Sequence, residues 1–420
     1  MTVVVGMFPA LSETFVLHQV TSLIDMGHEV RIIADAPRDE RAMHEEVAQY
    51  GLLQKTHYLS QPPRTRRKRL ATLIRAVRGG RTRTARTLDA FRLARKRKGE
   101  TGEMAQLAAI VNALMESPRP DVILCHFGPN GARAVRALDA LEWNVPVITI
   151  FHGFDLTRLV KQRGPKIYEN LFRKGSLFLP ACDFFADRLR AMGCPAEQIM
   201  VQRMCVDLVK LDAMVSSFKT SKRRSGTFIF VAVGRLIPKK GFAHAIRAFA
   251  RAFGHLPADE VRLRIIGDGP LRQELEDVAR DAGVANHVDF LGSLPGRQVL
   301  TAVLAADALV QASVTAPDGD MEASPVVISE AMALRKPVIG TRHSGIPELV
   351  VDGVTGQLVE EGDEVDLAAA MAWMVANRPA AARMGQAGRA RLETGLTAEN
   401  WNALLEQRLL DLAPGQVACA

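Results

Sequence analysis

One alternation constrains this chain more than any other feature. Short runs rich in Val, Ile, Leu and Phe recur along nearly its whole length, each followed by a stretch with helical periodicity. Such a short apolar strand is fully buried only when both faces of its sheet are covered, and the intervening helices supply that cover. Parallel sheets layered between helices are therefore predicted. In the first half the runs are 2–8 (TVVVGMF), 29–35, 121–127 (DVILCHF), 146–152 (PVITIFH) and 176–182. The pattern then restarts with 227–236, 261–269, 287–294, 307–313, 336–341 and 355–360. Between the series, SSFKTSKRRSGT (216–227) loses apolar periodicity and reads as connecting chain. Two doubly wound α/β units follow: residues 1–208, a linker over 209–226, a second unit over 227–395, and a C-terminal helix and tail over 396–420 that packs back on the first unit. Sheets of this kind bind ligands outside the carboxyl ends of their strands, so a cleft between the units is the expected site.

Composition narrows the class. A chain of 420 residues has room for about two domains. With 48% hydrophobic and 24% charged residues it fits a folded enzyme and excludes a disordered or fibrous chain. No apolar stretch reaches the roughly 18 to 20 residues of a membrane-spanning helix. The N-terminal run has no preceding Lys or Arg and holds Glu13 and His18, unlike a secretory signal, so the expected location is the cytoplasm. Five cysteines without a C-x-x-C pair suggest neither a disulfide framework nor a zinc site. The net charge of +8 is concentrated: from Arg64 to Lys98 there are fifteen Lys or Arg and one acid, Asp89, which leaves +14 there and −6 on the rest. Leu70, Leu73, Ile74 and Val77 add a narrow apolar stripe, and stripe plus cations point to an anionic membrane surface at the inner face of the membrane. A solvated charged face is the competing reading. Phe91 is the one aromatic in the segment, too few for stacking on bases, so no nucleic acid partner is expected.

The chain lacks G-x-G-x-x-G after a strand, the P-loop, H-E-x-x-H and G-x-S-x-G, which removes dehydrogenase, P-loop, zincin and esterase readings. Two motifs carry chemistry. In GDMEASPVVISEAMA, Glu322 precedes a helix that Ser324 and Pro325 are expected to open, with Ser324 as side-chain cap, and Glu330 sits about two turns along. A helix start aimed into a cleft favours phosphate, whereas the flanking carboxylates suit the hydroxyls of a ribose or hexose. In GRLIPKKG, after the strand FIFVAV, Arg235 and Lys240 stand between Gly234 and Gly241, placed to clamp a diphosphate. A pair of surface charges is the alternative.

GRLIPKKG together with EASPVVISE, SGIPELV and HGFD (152–155) resembles the family 4 retaining glycosyltransferases of GT-B architecture, over essentially the whole chain. FPALSETFVLHQ and GDMEASPVVISEAMA are most similar to the bacterial enzymes that assemble exopolysaccharide repeat units of the colanic acid or amylovoran kind. The resemblance implies two Rossmann-like domains facing a cleft, a nucleoside diphosphate sugar as co-substrate, and neither a further cofactor nor a metal. It implies that Arg235 and Lys240 clamp the diphosphate, Glu330 holds the ribose hydroxyls, and Glu322 faces the donor sugar. Gly234, Leu294, Ser324, Pro325 and Val326 complete the donor site. His152 and Asp155 fall near the transferred sugar, with His152 counted among the catalytic groups beside Glu322, Arg235 and Lys240. Ser12, Glu13 and Thr14 face donor and acceptor, with a plain Ser12 helix cap as the competing reading. Two departures stand out: PALSE replaces the family's Gly-Gly turn, and Cys205 replaces a usual Gly. Asp318-Gly319-Asp320 imitates the D-x-D metal motif of another glycosyltransferase fold, but its place just before Glu322 favours a metal-free loop. The expected reaction moves a hexose to a hydroxyl of a lipid-linked or oligosaccharide acceptor. A nucleotide-sugar 2-epimerase and a non-catalytic nucleotide-sugar-binding protein are the rivals.

Overall fold

The computed structural model describes residues 1–10, 13–37, 44–59, 101–218 and 226–413. Ser12, the basic segment 64–98, linker residues 219–225 and the tail from 414 lie outside them. Among the described residues the strands form two six-stranded sheets with every pairing parallel. The first contains β1 Thr2–Met7, β2 Arg31–Ala36, β3 Thr56–Tyr58, β4 Ile123–His126, β5 Val147–Phe151 and β6 Leu177–Pro180, in the order β3-β2-β1-β4-β5-β6. The second contains β7 Phe228–Val233, β8 Val261–Ile266, β9 Val288–Gly292, β10 Ala308–Gln311, β11 Val338–Thr341 and β12 Gly356–Val359, in the order β12-β11-β10-β7-β8-β9. This is the GT-B architecture. Each sheet has one reversal of winding, between β1 and β4 in the first and between β7 and β10 in the second. Crevices open at such reversals; GRLIPKKG and EASPVVISE follow β7 and β10, while HGFD and SGIPELV follow the neighbouring strands β5 and β11.

Burial explains the double cover. Along β4, Ile123 and Cys125 enter one core cluster with Leu107, Ile110 and Leu138, while Leu124 enters the opposite cluster with Val3, Val16 and Leu17. Period-2 alternation has sent neighbouring residues to opposite, equally dry faces. Each such Val, Leu or Ile contributes roughly 1.5 to 3 kcal/mol relative to exposure.

Three details differ from the sequence reading. Thr56–Tyr58 is an additional strand at the edge of the first sheet. The linker span 209–226 opens within a helix, Leu208–Ser216, because Leu208 and Leu211 are buried against the second unit's core and Asp207 accepts the Lys210 N–H at 2.7 Å. The third, at Ser324, belongs to the site below. The helix Ala398–Leu412 buries Leu405 and Leu409 in the first unit's core, and Asn402 Nδ2 donates to Ser22 Oγ at 2.8 Å. Among the described residues no helix is long and apolar enough to cross a membrane.

Candidate functional site

The second unit's half of the cleft is built where β7 ends. A Cβ on Gly234 would lie 2.9 Å from Lys240 Cε, so the bare backbone leaves room for the lysine to fold back over the strand end. Gly241, at φ +65°, brings its Cα against Ala312, whose carbonyl oxygen would stand 1.7 Å from any Cβ. Only glycine fits there. Lys240 Nζ forms an ion pair with Glu322, and both side chains are only 14% exposed. Lys239, which the motif reading passed over, donates to Asp320 Oδ1 at 3.2 Å and to the Met321 carbonyl at 3.1 Å. Burial on its own would raise the Glu322 carboxyl, but Lys240 and then Lys239 outweigh it and hold the group at about 2. Glu322 is therefore charged at every physiological pH. Arg235 is exposed at the end of β7 and has no ion-pair partner among the described residues.

The backbone at Glu322 is fixed from below. Its N–H donates to His343 Nε2 at 2.9 Å, and His343 Nδ1 lies 2.5 Å from Glu361 Oε1. An amide can only donate, so His343 accepts at Nε2 and carries its proton on Nδ1, toward Glu361. Ser344 Oγ donates to the carbonyls of Glu322 and Ala323. The helix Val326–Ala333 then begins. Ser324 does not cap it: Pro325, at φ −63° and ψ 116°, occupies the N-cap position and offers no side-chain acceptor. The first N–H groups of the helix therefore lack a side-chain partner. The carboxylate of Glu330, one turn into this helix, has no hydrogen bond or ion pair among the described residues, and burial pushes it up to about 7. Leu294 and Val326 are both partly buried against the core beneath. The two aspartates of Asp318-Gly319-Asp320 each face a cation, Arg158 at 3.3 Å and Lys239 at 3.2 Å.

The first unit contributes the ends of β4 and β5. Asp155 is fully buried and accepts the N–H groups of Gly128 at 2.9 Å, His152 at 3.1 Å and Gly153 at 2.9 Å. Burial raises its carboxyl to about 6 against the pull of these donors. Asp155 thus fastens the two strand ends together and bears on the cleft through His152, whose backbone it holds. His152 Nε2 lies 3.0 Å from His126 Nδ1, and its ring packs against Phe15 at 4.3 Å and Phe127 at 4.6 Å. Burial, and then His126, hold His152 well below the usual imidazole range, so it is neutral. Phe127 adopts φ +71°, a strained conformation for a residue with a side chain, where β4 gives way to the helix Gly128–Leu141. Thr14 starts the helix Thr14–Asp25, Glu13 is its N-cap residue without a side-chain cap bond, and Ser12 lies outside the described residues.

The halves meet. A Cβ on Gly153 would lie 3.0 Å from the Met321 carbonyl, so the HGFD loop touches the segment that leads into Glu322. Lys161 Nζ donates to the Pro317 carbonyl at 3.2 Å. A second seam forms at Glu348 of the SGIPELV motif, which accepts the N–H groups of Asp183 at 3.0 Å and Phe184 at 3.1 Å and pairs with Arg203. His126, Lys239, His343 and Glu348 were not singled out from sequence. A histidine or glutamate at a strand or helix end shows its partner only when the fold is known.

Residues 12–203 match the model of a glycosyl transferase 4-like domain, and residues 216–391 that of group 1 glycosyl transferases. The chain is 38% identical over 368 residues to a Salmonella typhimurium protein named as a colanic acid biosynthesis glycosyltransferase, covering 87% of this chain and 88% of that one. It is 34% identical over 394 residues to an amylovoran biosynthesis glycosyltransferase of Erwinia amylovora, covering 92% and 93%. Among solved structures, Anabaena HepE in complex with UDP-glucose superposes with a TM-score of 0.72 at 18% identity, covering 98% of this chain and all of the other. WaaG, a glycosyltransferase involved in lipopolysaccharide biosynthesis, superposes at 0.63 with 14% identity, over 99% and 100%.

Proposed function

The chain belongs to the glycosyltransferase family marked by these two domains, and from that premise we propose that it moves a hexose from a nucleoside diphosphate sugar to a hydroxyl of a lipid-linked or oligosaccharide acceptor, with retention, in exopolysaccharide assembly. One observation carries the reading. Glu330 is a half-buried carboxylate without a hydrogen-bond or ion-pair partner among the described residues, one turn into a helix whose start has no side-chain cap, and the Lys240–Glu322 pair lies on the loops before it. An unpaired buried carboxylate is costly unless a ligand donates to it, and ribose hydroxyls are suitable donors. Phosphate suits the free N–H groups and the exposed Arg235.

In the proposed reaction, charge grows on the diphosphate as the bond from its oxygen to the anomeric carbon breaks. Arg235, Lys240 and the helix start stabilise that charge. Lys240 turns from Glu322 toward the phosphates, and Glu322 remains ionised beside the developing positive charge of the sugar. The acceptor hydroxyl attacks from the face the diphosphate leaves, forms the new bond to the anomeric carbon, and gives its proton to the departing phosphate oxygen. No protein base is required. The segment 64–98 holds the enzyme at the inner face of the membrane, where a lipid-linked acceptor is presented.

The test is transfer itself. Each labelled nucleoside diphosphate hexose is incubated with the protein and a bacterial lipid extract. Label entering the organic phase, with the anomeric configuration of the donor kept in the product by NMR, supports the reading. Label on an epimerised nucleotide sugar favours the epimerase, and label left on unchanged donor favours the non-catalytic binding protein.

A further inference from the structure

The histidine pair at the ends of β4 and β5 has one member without an assigned task. His126 is fully buried, its carbonyl accepts Asn130 Nδ2 at 2.7 Å, and its Nε2 is buried with no partner. Its Nδ1 meets His152 Nε2 at 3.0 Å. His152 is partly exposed, and its Nδ1 has no partner among the described residues. Both rings are neutral, so one proton lies in the shared bond and each ring carries one proton in all.

Two arrangements satisfy that count. If His152 donates, its proton is on Nε2 and His126 must carry its own on Nε2, leaving a buried N–H with no acceptor. If His126 donates, the buried orphan is a bare ring nitrogen, and His152 carries its proton on Nδ1. Orphaned buried N–H groups are the rarer kind.

We propose that His126 is a positioning residue that donates Nδ1–H to His152 Nε2, so that His152 presents an Nδ1–H donor to the cleft, aimed at an oxygen of the transferred sugar. Solvated imidazole favours the proton on Nε2, so this tautomer is imposed by the neighbour. The ring is also held in place, by Phe15 and Phe127 on its sides and by Asp155 through its backbone N–H. The sugar contact rests on the proposed function. The tautomer does not.

The test separates the two. Nitrogen-15 NMR of the full chain labelled at histidine, with His152 assigned by difference against His152→Gln, reads the tautomer without donor or acceptor. His152 protonated on Nδ1 is the expected result, and protonation on Nε2 overturns the inference. In His126→Phe the His152 proton should move to Nε2 and turnover should fall about tenfold, the factor that goes with one lost hydrogen bond, with donor KM within about twofold. His126→Asn, which keeps an N–H near the Nδ1 position, should retain turnover within about threefold. Unchanged turnover in His126→Phe, or equal losses in both variants, would overturn the positioning role even with the tautomer as expected.

Discussion

Changing Glu330 to Gln should make the protein more stable at neutral and alkaline pH while it loses its nucleotide. Burial raises the Glu330 carboxyl from an ordinary 4.5 to about 7. Between those values the folded state keeps a proton that the unfolded chain has released, so stability falls as pH rises, by about 1.4 kcal/mol per pH unit. The whole interval is worth about 3 kcal/mol at pH 8. Glu330 keeps some exposure, and water reaching the carboxylate reduces the figure toward 1 to 2 kcal/mol. Gln resembles the protonated acid in shape, so wild type and Glu330→Gln should unfold alike near pH 4.5 and separate by roughly 2 to 8 °C at pH 8, the variant being the more stable. Binding should move the other way. Hydroxyls donate to a carboxylate, so nucleoside diphosphate affinity in the wild type should rise as pH passes 7, and in the variant it should be weaker by about tenfold or more and nearly independent of pH. Thermal unfolding across pH, with and without nucleoside diphosphate, reads both effects. A variant no more stable at pH 8 than the wild type, or one that binds nucleotide equally well, would refute the reasoning.

Arg235→Ala and Lys240→Ala should each raise the barrier to transfer by about 2.7 to 4 kcal/mol, seen in kcat, since each removes one preorganised cation from the leaving group. Glu322→Gln should depress turnover yet bind nucleoside diphosphate as tightly as the wild type or more so, because Lys240 is no longer held by its carboxylate; calorimetry showing weaker binding would contradict this. The segment 64–98 should carry the protein to the top of a flotation gradient with anionic vesicles and not with neutral ones. That attachment should fade toward 1 M salt, where the Debye length shrinks to about 3 Å.

The fold was legible because β-branched runs at regular intervals leave few alternatives, and eleven of the twelve strands among the described residues coincide with such runs. Thr56–Tyr58 escaped because a three-residue edge strand needs no apolar run. Gly234, Lys240, Glu322 and Glu330 were legible as motifs, but their pairing was not: only the fold shows that Lys240 is held by Glu322 while the Glu330 carboxylate has no partner among the described residues. The helix start was misjudged at Ser324 because Pro325, with its ring-fixed φ and extended ψ, takes the cap position itself. The resemblance places Asp155 near the transferred sugar, and the fold adds that its carboxylate accepts three backbone N–H groups. Which N–H groups a loop leaves unpaired is a property of the tertiary fold.

The central claim is that this cleft holds a nucleoside diphosphate sugar through Arg235, Lys240, the start of Val326–Ala333 and Glu330. A titration of nucleoside diphosphate sugars, followed by thermal unfolding at pH 8, tests it most directly. At least one should stabilise the wild type by about 2.7 kcal/mol at 100 times its dissociation constant, and far less in Glu330→Gln or Lys240→Ala. If none stabilises the wild type at millimolar concentration, or if the binder stabilises all three proteins equally, the claim is contradicted.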